Sequence, residues 1–141
     1  MGRVIALDVG TKTIGVAISD PLRITANPVC TVARKGVVRD VKRLVEICRE
    51  REVDALVVGL PLELDGSEER SARLARQVGD ALGKALQLEP LYLDERYSSV
   101  EAERALIEAD LSRKKRKSVI DQAAAVLILR SFLDHGDWSE V

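Results

Sequence analysis

One stretch constrains the fold more than any other: Val4-Ile5-Ala6-Leu7-Asp8-Val9-Gly10-Thr11-Lys12-Thr13-Ile14-Gly15-Val16-Ala17-Ile18-Ser19-Asp20. Val4 to Leu7 is a short aliphatic run, which reads as a buried strand rather than a long helix. Asp8 extends it directly, so a carboxylate stands at or near the end of a core strand. Burying an unpaired charge costs roughly several kcal/mol unless it finds a partner or a metal. Gly10, Thr11 and Lys12 then supply a turn, and Ile14 to Ser19 makes a second strand. Gly15 and Ala17 share one face of it and leave room beside the backbone. An acid, a tight turn, a lysine and a bare strand face suit a place where phosphate and metal meet. The plain alternative is a hairpin in which Asp8 is an ordinary strand-end residue.

Downstream, Ile24 to Val32 offers a third strand, and Pro28 within it fits an edge strand or a bulge. From Val37 the period becomes helical. Val37, Val41, Leu44, Val45 and Cys48 form an apolar face as far as about Glu52. Ala55-Leu56-Val57-Val58-Gly59 is an uninterrupted apolar run, as a central strand covered on both faces requires. Asp65 and Glu68 fit a capping box, and Leu74, Val78, Ala81, Leu82 and Ala85 give the next helix its face. Leu91 to Leu93 makes a fifth strand that runs into Asp94-Glu95-Arg96. A helix over Val100 to about Ala109 follows, then a basic run, Arg113 to Lys117, and a last helix from Val119 to about Leu133. A meander followed by strand–helix alternation implies an α/β fold, a mixed sheet with helices on both faces. Residues 1–141 read as a single domain.

Bulk composition limits the function classes. The chain is 46% hydrophobic and 32% charged, which excludes a mostly disordered chain. Aromatics are 3%, so base stacking on exposed rings is hard to arrange. A net charge of −1 means that any nucleic-acid partner must be met by local charge. No apolar run approaches the roughly 18–20 residues of a membrane span, and Met1-Gly2-Arg3 lacks the shape of a signal peptide, so a cytoplasmic protein is expected. Cys30 and Cys48 are isolated and read as buried small hydrophobes rather than a disulfide. His135, the one histidine, suits the end of the last helix and not a catalytic base.

Three acidic positions stand out: Asp8, Asp94-Glu95 and Asp121. Ligands of open α/β sheets collect outside the carboxyl ends of strands, where the first two stand. Asp121 opens the last helix but shares a face with Ala125, Ile128 and Phe132, which is not the solvent side. Phosphodiester hydrolysis needs an activated water, neutralised phosphate oxygens and a stabilised leaving oxygen. Two divalent ions about 4 Å apart supply all three, and carboxylates are ligands for hard cations such as Mg²⁺ or Mn²⁺. Either Asp94 or Glu95 can face such a site, since strand neighbours point to opposite sides. Lys12 and the run Arg113, Lys114, Lys115, Arg116 and Lys117 are placed to meet phosphates, as is Arg96.

The blocks Ala6 to Lys12, Gly15 to Asp20, Val57-Val58-Gly59-Leu60-Pro61 with Asp65-Gly66-Ser67-Glu68, Asp94-Glu95-Arg96, and Asp121-Gln122-Ala123-Ala124-Ala125 resemble the YqgF family. Its members are also called RuvX, Holliday-junction resolvases and pre-16S rRNA nucleases. The blocks run in family order over nearly the whole chain. The resemblance implies an RNase H-like three-layer fold with strand order 3-2-1-4-5. It also implies a metal-dependent nuclease acting on structured nucleic acid, precursor rRNA or branched DNA, as a monomer or weak homodimer. The catalytic and metal-binding residues would be Asp8, Glu95 and Asp121, with Asp94 the alternate. Where the family usually has Lys-Arg, this chain has Lys12-Thr13, one positive charge fewer. Many RNase H-like nucleases use four acids; Glu63 is a fourth candidate here without motif support. Two rival readings are a non-catalytic nucleic-acid-binding module of the same fold, and a single-lobe ATP-binding protein, since Asp8-Val9-Gly10-Thr11 is similar to the phosphate loop of the actin and Hsp70 group.

Overall fold

The structure, a computed structural model, describes residues 2–61, 70–94 and 113–134, the last segment with side chains from residue 122 onward. Five strands form one sheet: β1 (Arg3–Val9), β2 (Thr13–Ser19), β3 (Ala26–Ala33), β4 (Val53–Leu60) and β5 (Pro90–Asp94), in the order β3-β2-β1-β4-β5. β1 to β3 are the antiparallel meander, and β4 and β5 add in parallel on the other side of β1. Parallel neighbours need crossovers. Helix α1 (Val37–Glu50) lies between β3 and β4 in the chain, and α2 (Arg70–Leu86) between β4 and β5. Helix α3 (Arg113–Asp134) comes last.

The centre of the sheet explains the aliphatic run. Val4, Ile5, Ala6 and Leu7 are all fully buried, because both faces of β1 are covered. Ile5, Leu7 and Val9 pack with Leu44 and Ile47 of α1 and Val78 and Leu82 of α2. Val4 and Ala6 pack with Ala17, Val57 and the α3 residues Ala125, Ile128 and Phe132. Each buried Leu, Ile or Val contributes roughly 1.5–3 kcal/mol, so the sheet is held as a three-layer sandwich.

Several boundaries differ from expectation. β3 starts at Ala26 rather than Ile24 because the Asp20 carboxylate accepts the backbone N–H groups of Ile24 and Thr25, each at 2.7 Å, and folds that segment into a loop. Pro28 occupies the edge strand, and the pairing jumps from Val16–Cys30 to Ala17–Pro28, so Val29 is the bulged residue. The buried face of α1 includes Asp40 and Ile47, while Val37 and Val41 are half-buried. On α2 the buried face runs through Ala72, Ala75, Val78, Gly79, Leu82 and Gly83, with Ala85 exposed. A Cβ at Gly79 would lie 2.5 Å from the Tyr92 hydroxyl, so the bare backbone is what lets β5 approach. The basic run is the start of α3 rather than a loop before it, which begins at Arg113 and not at Val119. Arg and Lys are good helix formers, and no residue between Arg113 and Ser118 breaks the helix.

Cys48 is buried and Cys30 half-buried; both thiols are free. The capping box at Asp65 and Glu68, the helix over residues 100–109 and His135 lie outside the described residues. Among the described residues, no helix is long and apolar enough to cross a membrane.

Candidate functional site

Alternation along β1 decides which way Asp8 faces. Ile5, Leu7 and Val9 belong to the α1/α2 side, and Val4 and Ala6 to the α3 side, so Asp8 falls on the α3 side at the carboxyl end of the central strand. It is half-buried there. Its cross-strand partner is Gly15, and Gly15 in turn pairs with Thr31. The row Asp8–Gly15–Thr31 therefore crosses three strands, about 10 Å at the usual strand spacing. Gly15, in the middle of the row, is buried and puts no side chain between Asp8 and Thr31. At the far end of the row, the Gln122 amide Nε2 donates to the Thr31 hydroxyl at 3.3 Å. Gln122 follows Asp121, so the first described side chain of α3 lands on the same row as Asp8.

The remaining acids are less completely placed. Leu93 packs on the α3 side with Ala6, whereas Tyr92 packs on the opposite side. Asp94 pairs with Leu60, which also belongs to the α1/α2 side, so Asp94 occupies the register position facing away from Asp8. Glu95, Arg96 and Glu63 lie outside the described residues, and of Asp121 the backbone alone is described, within α3. Position 121 is one helical turn before the buried Ala125. The five cations from Arg113 to Lys117 occupy the opening turns of the same helix. At 1.5 Å rise per residue they lie about 6–12 Å along the axis from position 121. Cations at a helix N-terminus oppose its dipole, so this arrangement is unfavourable until an anion arrives.

The turn after Asp8 is fixed by a residue pair that the helical pattern hid. The Gly10 N–H donates to the Thr13 carbonyl at 2.8 Å, closing the turn. Arg34, just beyond β3, donates from its backbone N–H to the Lys12 carbonyl at 2.8 Å and from Nη1 to the Gly10 carbonyl at 2.8 Å. Its Nε donates to Asp40 Oδ2 at 2.6 Å, and the Lys35 N–H fills Asp40 Oδ1 at 2.9 Å. Asp40 is 2% exposed. The backbone around Lys12 is thus clamped from β3 and α1, while the Lys12 side chain stays exposed. Nothing in the apolar periodicity pointed to Asp40; the only available signal was an acid six residues after an arginine at a strand–helix junction.

A family model described as RuvX, Holliday junction resolvase, matches residues 2–135. The chain belongs to this family. RuvX relatives cover it almost completely. A Clostridium botulinum protein named "Putative pre-16S rRNA nuclease" is 42% identical over 132 residues, 94% of this chain and 96% of its own. A Cereibacter sphaeroides protein of the same name is 50% identical over 137 residues, 97% of this chain and 86% of its own. In fold, the chain is similar to Thermus thermophilus RuvC solved with a Holliday junction substrate, with a TM-score of 0.60 at 13% identity over 96% of both chains. A second T. thermophilus RuvC structure gives 0.58 at 12% identity over 94% of this chain and 95% of that one. This RuvX chain has the RNase H-like sheet order and layers that its sequence blocks imply. Thr13, standing where the family usually has arginine, is half-buried and pairs with Ala33 at the start of β2.

Proposed function

We propose that this protein is a metal-dependent nuclease of the cytoplasm that hydrolyses phosphodiesters in structured nucleic acid, with the 5′ region of precursor 16S rRNA as its substrate. The observation that carries this reading is Asp8 at the end of the central strand, opposite the bare Gly15, on the face covered by the helix that bears Asp121. The names of the RuvX relatives support the RNA substrate, and the family description supports a four-way DNA junction as a second one.

The donor chemistry fits a hard divalent cation: Asp8 offers carboxylate oxygen, is half-buried rather than sealed, and faces a glycine across the strand pair. Asp8, Glu95 and Asp121 would hold Mg²⁺ or Mn²⁺, which when bound lowers the pKa of a water and neutralises phosphate oxygens. The residues of the chain do the rest. Arg34 holds the Gly10 and Lys12 carbonyls, so the Lys12 ammonium is presented to the substrate from a fixed backbone. The cations at the start of α3 bind the flanking phosphates, whose negative charge offsets both the cations and the positive end of the helix dipole. Asp94 occupies a register position on the far side of the sheet from Asp8, which favours Glu95 of the two acids for this role.

The test is cleavage in Mg²⁺ or Mn²⁺ of a labelled precursor rRNA 5′ segment beside a four-way DNA junction, with Asp94→Asn and Glu95→Gln measured separately. Cleavage of the RNA, lost in Glu95→Gln and retained in Asp94→Asn, is the expected result. Dead Asp94→Asn with full activity in Glu95→Gln would exchange the two acids. Binding of both substrates with cleavage of neither would make the protein a non-catalytic module.

A further inference from the structure

We propose a second nucleic-acid surface: a basic cleft between the outer edge of β3 and helix α1, lined by Lys35, Arg39 and Arg43, that holds the phosphate backbone of a strand leading away from the Asp8 site. This rests on the nuclease reading and adds to it a path for the substrate.

The cleft has a volume of about 370 Å³, with Cys30 to Ala33 as one wall and Lys35, Arg39, Asp40 and Arg43 as the other. β3 is the last strand on its side of the sheet. Lys35, Arg39 and Arg43 are all exposed. Arg39 and Arg43 are one helical turn apart and share a face of α1. Arg39 and Arg43 lie about 6 Å apart along α1, roughly two steps of a nucleic-acid strand, and Lys35 stands just before the helix. The one acid in the lining is spent, since both Asp40 oxygens accept from Arg34 and the Lys35 backbone. Glu46 holds Arg43 loosely, at 3.5 Å on the surface, where a phosphate can displace it. The cleft is therefore a local concentration of positive charge on a chain of net charge −1.

Two further observations support the assignment. Burial pushes the Cys30 thiol up, and the positive charges of Arg43 and then Arg51 pull against it, so positive potential reaches into the cleft. The cleft also begins beside the turn that follows Asp8: Arg34 bonds the Lys12 carbonyl, and Lys35 is the next residue. A strand that rounds the β3 edge from the Asp8 face to the α1 face would leave Lys12 and reach Lys35 first, with Arg39 and Arg43 beyond it on α1.

The experiment measures binding of a labelled precursor rRNA segment and a four-way DNA junction in EDTA, so that cleavage does not enter. The variant Lys35→Gln/Arg39→Gln/Arg43→Gln is compared with Arg70→Gln/Arg73→Gln/Lys84→Gln, three exposed cations on α2 that change net charge equally. With roughly 0.7–0.9 of log–log salt slope per phosphate contact, the first variant should lower the slope by about two to three and weaken binding at least tenfold, and the second should do neither. In the wild type, bound nucleic acid should also slow modification of Cys30 by methyl methanethiosulfonate, read by intact mass; Cys48, buried and pushed up to about 12, stays unlabelled. This arm holds even where the triple variant fails to fold. Equal loss in both variants, or Cys30 protection by polyglutamate as strong as by RNA, overturns the cleft as a nucleic-acid surface. An unchanged slope and unprotected Cys30 in a protein that still binds and cuts overturns the cleft and leaves the nuclease reading intact. A wild type that neither binds nor cuts overturns both.

Discussion

Arg34 and Asp40 form a buried ion pair, Nε to Oδ2 at 2.6 Å, with side chains 11% and 1% exposed. The same guanidinium donates to the Gly10 carbonyl, two residues past Asp8. A buried pair adds little net stability over apolar residues of the same volume, but breaking it leaves a charge without compensation. Its worth lies in where it puts the turn.

Arg34→Met should cost about 3–5 kcal/mol in urea unfolding, because Asp40 stays buried and loses its partner. Arg34→Met/Asp40→Leu should recover most of that loss. Cleavage should not recover with it, since Gly10 and Lys12 lose their clamp; a displacement of about 1 Å there is enough for roughly a 100-fold fall in rate. Full activity in the double variant would reduce the pair to a purely structural element.

Gly79 and Tyr92 should be coupled. The Tyr92 hydroxyl donates to Asp80 Oδ1 at 2.5 Å and its ring lies 4.8 Å under the Arg76 guanidinium, which fixes it over the bare Gly79 backbone. Gly79→Ala gains about 1 kcal/mol of helix propensity but overpacks against the phenol at a cost of about 1–3 kcal/mol, a net loss. In a Tyr92→Phe background the nearest ring carbons are at 3.1 Å, and Gly79→Ala should be clearly less damaging. Equal costs in the two backgrounds, measured by urea unfolding, would contradict the contact.

Asp20 should make part of the stability acid-sensitive. The Thr25 N–H chiefly holds its carboxyl below the ordinary 3.8; desolvation, next in size, opposes it, and the Ile24 N–H and the Thr25 hydroxyl add to the lowering. The folded pKa is lower than the unfolded one, so the stabilisation is complete above the unfolded value and disappears as pH falls through the folded one. The difference in urea midpoint between wild type and Asp20→Ala should shrink as pH drops below about 3.8. A difference that widens there would contradict the sign.

Much of the fold was legible because β1 and β4 are plain aliphatic runs and a meander followed by alternation leaves few topologies open. Asp8 was legible for the same reason: an acid ending a buried run is conspicuous. Asp40 was not, because an acid in a first helical turn usually reads as a dipole partner, and only the tertiary position of Arg34 shows what it does. The faces of α2 were misread by about one residue, since Gly79 and Gly83 carry no apolar side chain yet sit where β5 and Pro90 approach. The basic run looked like a loop because charge density masks helix propensity in a periodicity argument. The family resemblance favours Glu95 over Asp94, and the register places Leu93 with Ala6 and Asp94 on the other side, with Glu95 outside the described residues.

The central claim is that Asp8 is catalytic and not a turn residue. The most direct measurement is the rate at which Asp8→Asn cuts the labelled precursor rRNA 5′ segment in Mn²⁺, taken with its melting temperature. With Asp8 grouped with Glu95 and Asp121 as proposed, removing one carboxylate relieves like-charge repulsion, and the expected result is cleavage at background with a melting temperature equal to or above wild type. Cleavage by Asp8→Asn at the wild-type rate, in a protein folded to the same temperature, would contradict it.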